Sequence, residues 1–140
     1  MIDRRMSEFI RRRAPITLPA TATVQRACQR MRQQRVGAIL ITDEDGRLEG
    51  IFTGRDAVRL LAEGRSPAFA ELSDVMTREP DTLPPDHSAM EALRMMQDGG
   101  YRHVPIVDRR GRLVGIVSHG DFQSIEYVRY EEEVQLWERV

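Results

Sequence analysis

The chain has 140 residues and a mass of 16.1 kDa, the size of one ordinary domain or of two very small ones fused into a single body. Apolar residues make up 41% and charged residues 31%, the proportions of a chain that builds a core. The balance of 21 basic against 22 acidic residues, net −1, lacks the positive surplus of a protein built to coat nucleic acid or an anionic membrane.

Apolar stretches are short. The run 36–41, broken only by Gly37, falls far below the ~20 residues that a bilayer span needs. Residues 1–13 alternate charge with apolar side chains and offer no signal-peptide core. One cysteine, Cys28, rules out a disulfide framework and a Cys-based zinc site, and fits a reducing cytoplasm.

Taken in chain order, the first segment, 1–14, reads as a basic helix with Ile2, Met6, Phe9 and Ile10 on one face. A first repeat follows at 15–64. Its extended piece, 16–18, stops at Pro19, because proline discourages a helix before it. A helix is expected at 23–34, with Thr23 as N-cap and Val24, Ala27, Cys28 and Met31 spaced i, i+3, i+4, i+7. Strands at 38–42 and 48–52 flank the turn Asp43-Glu44-Asp45-Gly46, whose glycine takes the positive φ of a hairpin turn. A second helix starts near Gly54. The segment 65–77 reads as a linker, hinged at Gly64, Ser66 and Pro67, with one helical turn at 71–76.

The next segment, 78–126, repeats the first. Shifted by 65 residues, Thr17-Leu18-Pro19 falls on Thr82-Leu83-Pro84, Gly46-Arg47-Leu48 on Gly111-Arg112-Leu113, and Gly50-Ile51 on Gly115-Ile116. Ala27, Met31, Ile41, Asp43 and Asp56 also find themselves again. Thirteen of the 40 positions from Thr17 to Asp56 match, where chance gives about two or three. The second copy therefore carries an extended piece at 81–83, a helix at 88–98 capped by Ser88, strands at 103–107 and 113–117, and a helix start near His119. Each unit is β-α-β-β-α. The last segment, 127–140, reads as an acidic amphipathic helix carrying Tyr127, Tyr130, Val134 and Trp137. The two oppositely charged ends suit packing on each other, packing across a dimer, or capping the nearest core.

Each copy ends its second strand in one motif: Gly50-Ile51-Phe52-Thr53-Gly54-Arg55-Asp56 and Gly115-Ile116-Val117-Ser118-His119-Gly120-Asp121. A hydroxyl three residues before an acid is also a helix capping box. A cap accounts for the hydroxyl and the carboxylate and leaves the glycine six residues earlier unexplained. With both copies in register after an Asp-x-x-Gly turn, the sequence resembles the CBS-domain family, whose motifs occur in tandem pairs called Bateman modules. The resemblance covers about residues 15–125. It includes Asp74-Val75-Met76-Thr77, which is similar to the segment preceding a second copy.

The resemblance implies an α/β (α+β) fold of two repeats packed sheet to sheet about a pseudo-twofold axis, with two related clefts. It implies an adenosine-containing ligand there: AMP, ADP, ATP, S-adenosylmethionine or an NAD-type dinucleotide. Asp56 and Asp121 would accept from the ribose diol. Thr53 and Ser118, with helix N-terminal amides, would face phosphate. Ile51 and Ile116 would line the base, with Thr17 and Thr82 in the segments bordering it. Basic residues before the hairpin would reach phosphate. These are Arg102 and His103 in the second copy, against Gly37 and Ala38 in the first, which offers Arg55 inside its motif. On that count the Asp121 cleft is the better phosphate site, and the Asp56 cleft is either empty or uses Arg55.

Plainer readings stand beside these. His103 fits a solvent-facing strand position and His119 a helix start. With His87 they lack metal-site spacing, so no metal is expected. Cys28 belongs to a core face. No glycine-rich nucleotide loop, nucleophile elbow or Cys/His pair appears, so the expectation is a regulatory module and not an enzyme. Family resemblance further implies a homodimer acting on a protein partner; the single cysteine suits the cytoplasm, the short apolar runs leave no membrane role, and nucleic-acid binding through the Arg-rich residues 1–13 is the least expected class. The main alternative is a dimerisation or docking module with vestigial clefts.

Overall fold

Helix starts are set by side chains that satisfy otherwise unpaired amides. In the computed structural model, which describes residues 14–122, Thr23 Oγ1 accepts from Arg26 N at 3.2 Å and Ser88 Oγ from Glu91 N at 3.3 Å. They open α1 (Val24–Gln34) and α4 (Ala89–Gly99). Both helices end on a left-handed residue, Arg35 (φ 54°) and Gly100 (φ 70°), one repeat length apart. Strand β1 (Thr17–Leu18) precedes α1, and between the two helices lie β2 (Ala38–Thr42), β3 (Leu48–Thr53), α2 (Gly54–Ala62), α3 (Leu72–Val75) and β4 (Thr77–Arg78). After α4 come β5 (His103–Val107), β6 (Leu113–Ser118) and a 3-10 turn, His119–Asp121. The two terminal helices expected from the sequence, and the remainder of the helix after His119, lie outside the described residues.

The sheets are β1-β2-β3-β4 and β5-β6, and the duplication holds to single residues. Leu18 pairs Ile41 in parallel, and Leu83 bridges Ile106 in parallel. Ala38 faces Thr53 as His103 faces Ser118. One difference has a plain cause. Leu40 N donates to Ile16 O at 2.9 Å, whereas its counterpart Pro105 has no N–H to give. The extended piece expected at 81–83 is accordingly reduced to the single Leu83 bridge.

The uninterrupted apolar run of β2 follows from burial on both faces. Ile39 and Ile41 point into a core with Val24, Ala27, Phe52 and Leu60; Ala38 and Leu40 point the other way, into a layer with Ile51 and Ile116. In the second copy Val104, Ile106 and Val117 pack on Ala89, Ala92 and Met96. The middle layer, flanked by Leu48 and Leu113, joins the repeats. Its rim is a reciprocal pair of backbone bonds: Leu48 N to Gly111 O at 3.0 Å and Leu113 N to Gly46 O at 2.9 Å. Gly46 and Gly111, at φ 82° and 78°, make the turns that present those carbonyls. Asp43 Oδ1 accepts from Asp45 N and Arg47 N, and Asp108 Oδ1 from Arg110 N and Arg112 N, holding both turns in the same shape.

The glycine left over by a capping-box reading has its reason here. A Cβ on Gly50 would sit 2.7 Å from Met76 Sδ and 2.8 Å from the Thr77 carbonyl oxygen. Gly50 is what lets β4, the end of the linker, lie against β3. Gly50→Ala is expected to cost about 1–3 kcal/mol through overpacking, read as a lower denaturant midpoint at unchanged m-value. An unchanged midpoint would contradict this account of the glycine.

Candidate functional site

At the junction of β3 and α2, Asp56 closes a cap on Thr53: its Oδ2 accepts from Thr53 N at 2.9 Å and from Thr53 Oγ1 at 3.3 Å. The same bonds recur in the second copy, where Asp121 Oδ2 accepts from Ser118 N at 2.7 Å and Ser118 Oγ at 3.0 Å. The capping box and the candidate site are thus made of the same atoms. Asp56 is 7% exposed, the buried charged residue of the described core. Its other oxygen, Oδ1, accepts from Arg59 one helical turn on, at 3.0 Å.

Asp56 stands in the wall of a cavity of about 640 Å³, within the range of small-molecule and cofactor sites. One side comes from the first repeat: Ile51 and Thr53 of β3, then Gly54, Arg55, Asp56 and Arg59 of α2. The opposite side comes from the second: Glu79 to Asp81 before it, and Tyr101, Arg102 and His103 at the start of β5. A related cavity of about 20 Å³ lies across the pseudo-twofold. Its described walls include residues 14–16 and 36–38 with Ile116, each 65 residues before or after a wall residue of the large one. Gly37 and His103 border both, the imidazole lying 3.2 Å from where a Gly37 Cβ would be.

These positions correct the grouping expected from sequence. Arg102 and His103, assigned to the Asp121 cleft, line the Asp56 cavity. His103 is half-buried against Gly37 and does not project freely from its strand. The cause is the pseudo-twofold packing, which hangs the first strand of one copy's hairpin over the other copy's helix start. Arg55 belongs to the expected cavity, with its guanidinium donating to Gly100 O at 3.0 Å across the repeats. Ile51 lines the large cavity and Ile116 the small one. Thr17 and Thr82 stand in neither described wall, nor do Ser118 and Asp121, which keep their cap beside Arg102.

Sequence reasoning missed Arg59 and Tyr101, and reached Glu79 and Asp81 only as part of the segment 75–82 expected to border the base. Arg59 was legible, since three residues past a helical acid puts a guanidinium within its reach. Glu79, at φ 48°, carries backbone strain at the cavity lip, which nothing in the residue type announces. The Tyr101 hydroxyl donates to Asp81 Oδ2 at 2.9 Å. Burial and that bond push the phenol up to about 12. The lip carries the acidic Glu79 and Asp81, and the basic Arg55, Arg59 and Arg102 line the rest of the cavity.

Among the described residues no group of His, Cys, Asp and Glu could hold a metal ion, and no helix is long and apolar enough to cross a membrane.

The two repeats form a tandem pair with one cavity walled by both halves. The CBS domain model matches residues 7–63 and 72–125, and the chain belongs to the CBS-domain family. It is 42% identical over 103 residues to the CBS domain-containing protein CBSCBSPB3 of Arabidopsis thaliana. That match takes in 73% of this chain and 18% of the relative, so the chain spans less than a fifth of that protein's length. Among solved structures it is similar to the CBS domain protein PAE2072 of Pyrobaculum aerophilum complexed with AMP. The TM-score is 0.82 and the identity 26%, over 91% of this chain and 98% of that one. The CBS domain pair of MJ0100, solved with 5′-methylthioadenosine and S-adenosyl-L-methionine, gives a TM-score of 0.78 and 26% identity, over 86% and 93%.

His119 reports on the electrostatics beside the cavity. Burial, and then the Arg102 guanidinium 3.4 Å from its Nδ1, hold it below the ordinary 6.5. Unfolded chain therefore binds the proton more readily. The fold loses stability through this group as pH falls below 6.5 and on through the folded pKa. An NMR titration is expected to place the His119 midpoint below 6.5 and Arg102→Gln to raise it. A midpoint at or above 6.5 that ignores the substitution would contradict this.

Proposed function

We propose that the chain is a regulatory module that senses AMP, ADP, ATP or a related adenosyl ligand in the Asp56 cavity and passes that state to a protein partner. The observation that carries the reading is the cavity itself. It puts a buried carboxylate at a helix start opposite Arg102 and His103 of the other repeat. In this reading Asp56 accepts from the ribose diol. Ile51 packs on the base, and Thr53, Arg55, Arg102 and His103 face phosphate together with the first amides of α2. The AMP in PAE2072 and the adenosyl ligands in MJ0100 support the ligand class.

Because the ligand bridges both repeats, binding acts on their relative placement, and a partner that distinguishes two placements would be regulated by it. No reaction is proposed. The groups lining the cavity supply recognition, and no nucleophile with an adjacent base stands among them. A homodimer fits the large apolar side chains left exposed, Val58 and Leu61 on one face of α2 and Phe69 in the linker. This face is also what a dimerisation or docking module with unused clefts would present. A cytoplasmic setting fits the single cysteine.

Thermal shift separates the two readings. Wild type, Asp56→Asn and Asp121→Asn would each be melted with AMP, ADP, ATP, S-adenosylmethionine and NAD. A ligand at 100 times its Kd adds about 2.7 kcal/mol, a rise of several degrees. The expected result is a rise in wild type and Asp121→Asn that Asp56→Asn lacks. No rise with any ligand would leave the docking module as the better account.

A further inference from the structure

Asp56 has fewer open acceptor positions than a ribose needs. A carboxylate offers about four lone-pair sites, two per oxygen. Both sites on Oδ2 are taken by the amide and hydroxyl of Thr53, and one on Oδ1 is taken by Arg59. One position remains, and a ribose diol has two hydroxyls to donate. The Thr53 bonds close the cap of α2, while the Arg59 side chain is 60% exposed, so its pair with Asp56 is screened and the easier to break.

Arg59 also has somewhere to go. It lines a second cleft, of about 390 Å³, that adjoins the cavity and shares Asp56 with it. Glu63 and Asp74 stand in that cleft, and Glu63 is four residues on along the helix, the spacing at which side chains meet. Arg59 additionally lies 3.4 Å from the Val75 carbonyl at the end of α3. Moving it therefore changes a contact between the site and the linker.

We propose that Arg59 is an internal competitor for the ribose acceptor: it occupies Asp56 Oδ1 in the empty module and swings to Glu63 and Asp74 when ligand binds. This rests on the nucleotide reading above and adds to it what sets the affinity and how occupancy reaches the linker. The corresponding position of the second copy is Ser124, which has no charge to compete with, so the device belongs to one cleft.

The test is a double-mutant cycle on the full chain, with adenosine and AMP as probes in calorimetry at one fixed ionic strength. Arg59→Gln is expected to tighten both by about two- to fivefold, the scale of a partly exposed ion pair. Glu63→Gln with Asp74→Asn is expected to weaken both, because the displaced guanidinium loses its second seat. In the Arg59→Gln background the same pair of changes is expected to do nothing. Weaker or unchanged adenosine binding in Arg59→Gln, while wild type binds, would overturn the competitor and leave the nucleotide site standing. Weakening of AMP alone would place Arg59 on the phosphate and overturn it equally. If neither probe binds wild type or any variant, the nucleotide reading itself fails and takes this proposal with it. Thermal melts of each variant without ligand show whether it has folded.

Discussion

Everything at the site depends on the layer where the two repeats meet. Leu48 and Leu113 each donate a backbone bond to the other copy's turn glycine. Behind that pair Ala38, Leu40, Ile51 and Ile116 fill a shared apolar layer. Two sheets packed face to face in this way have little freedom to slide, since a shift would unpair both bonds and misalign the side chains. The consequence is the crossing over of parts: the helix start of one copy faces the hairpin start of the other. A cleft between halves, walled by both, is what that geometry leaves.

The two clefts then diverge because the copies differ in a few side chains. Where the second copy brings Tyr101, Arg102 and His103, the first brings Val36, Gly37 and Ala38. The large cavity therefore receives long polar groups from across the axis, and the described wall of the small one is mostly apolar. Charge in the large cavity is also arranged by position. Glu79 and Asp81 hold the lip, the latter tied to Tyr101, and the Arg59 guanidinium pairs with the buried carboxylate while Arg55 reaches across to the Gly100 carbonyl. A buried Asp56 is tolerable because three donors reach it, as a buried charge requires.

Much of the fold was legible in the sequence because it is written twice. Strand limits at 38–42 and 103–107 coincide with β2 and β5, and Thr23, Ser88, Gly46 and Gly111 occupy the cap and turn positions that their chemistry dictates. Local rules of this kind act over a few residues, so sequence carries them. The grouping of Arg102 and His103 with Asp56 was not legible, because it is set by packing between halves and each copy looks self-sufficient when read alone. Pro105 shows the intermediate case. Its missing N–H is plain in the sequence, but its effect on the 81–83 pairing appears only once Leu40 is seen donating to Ile16. The identity of Gly50 is a similar instance, explained only by the linker strand lying against it.

The central claim is a ligand site shared between repeats around Asp56. Amide chemical-shift mapping during an AMP titration addresses it most directly. The account predicts that amides of 53–59 and of 101–103 move together, with one apparent Kd, though they lie in opposite halves of the chain. Shifts confined to 116–121, or to one repeat alone, would contradict it.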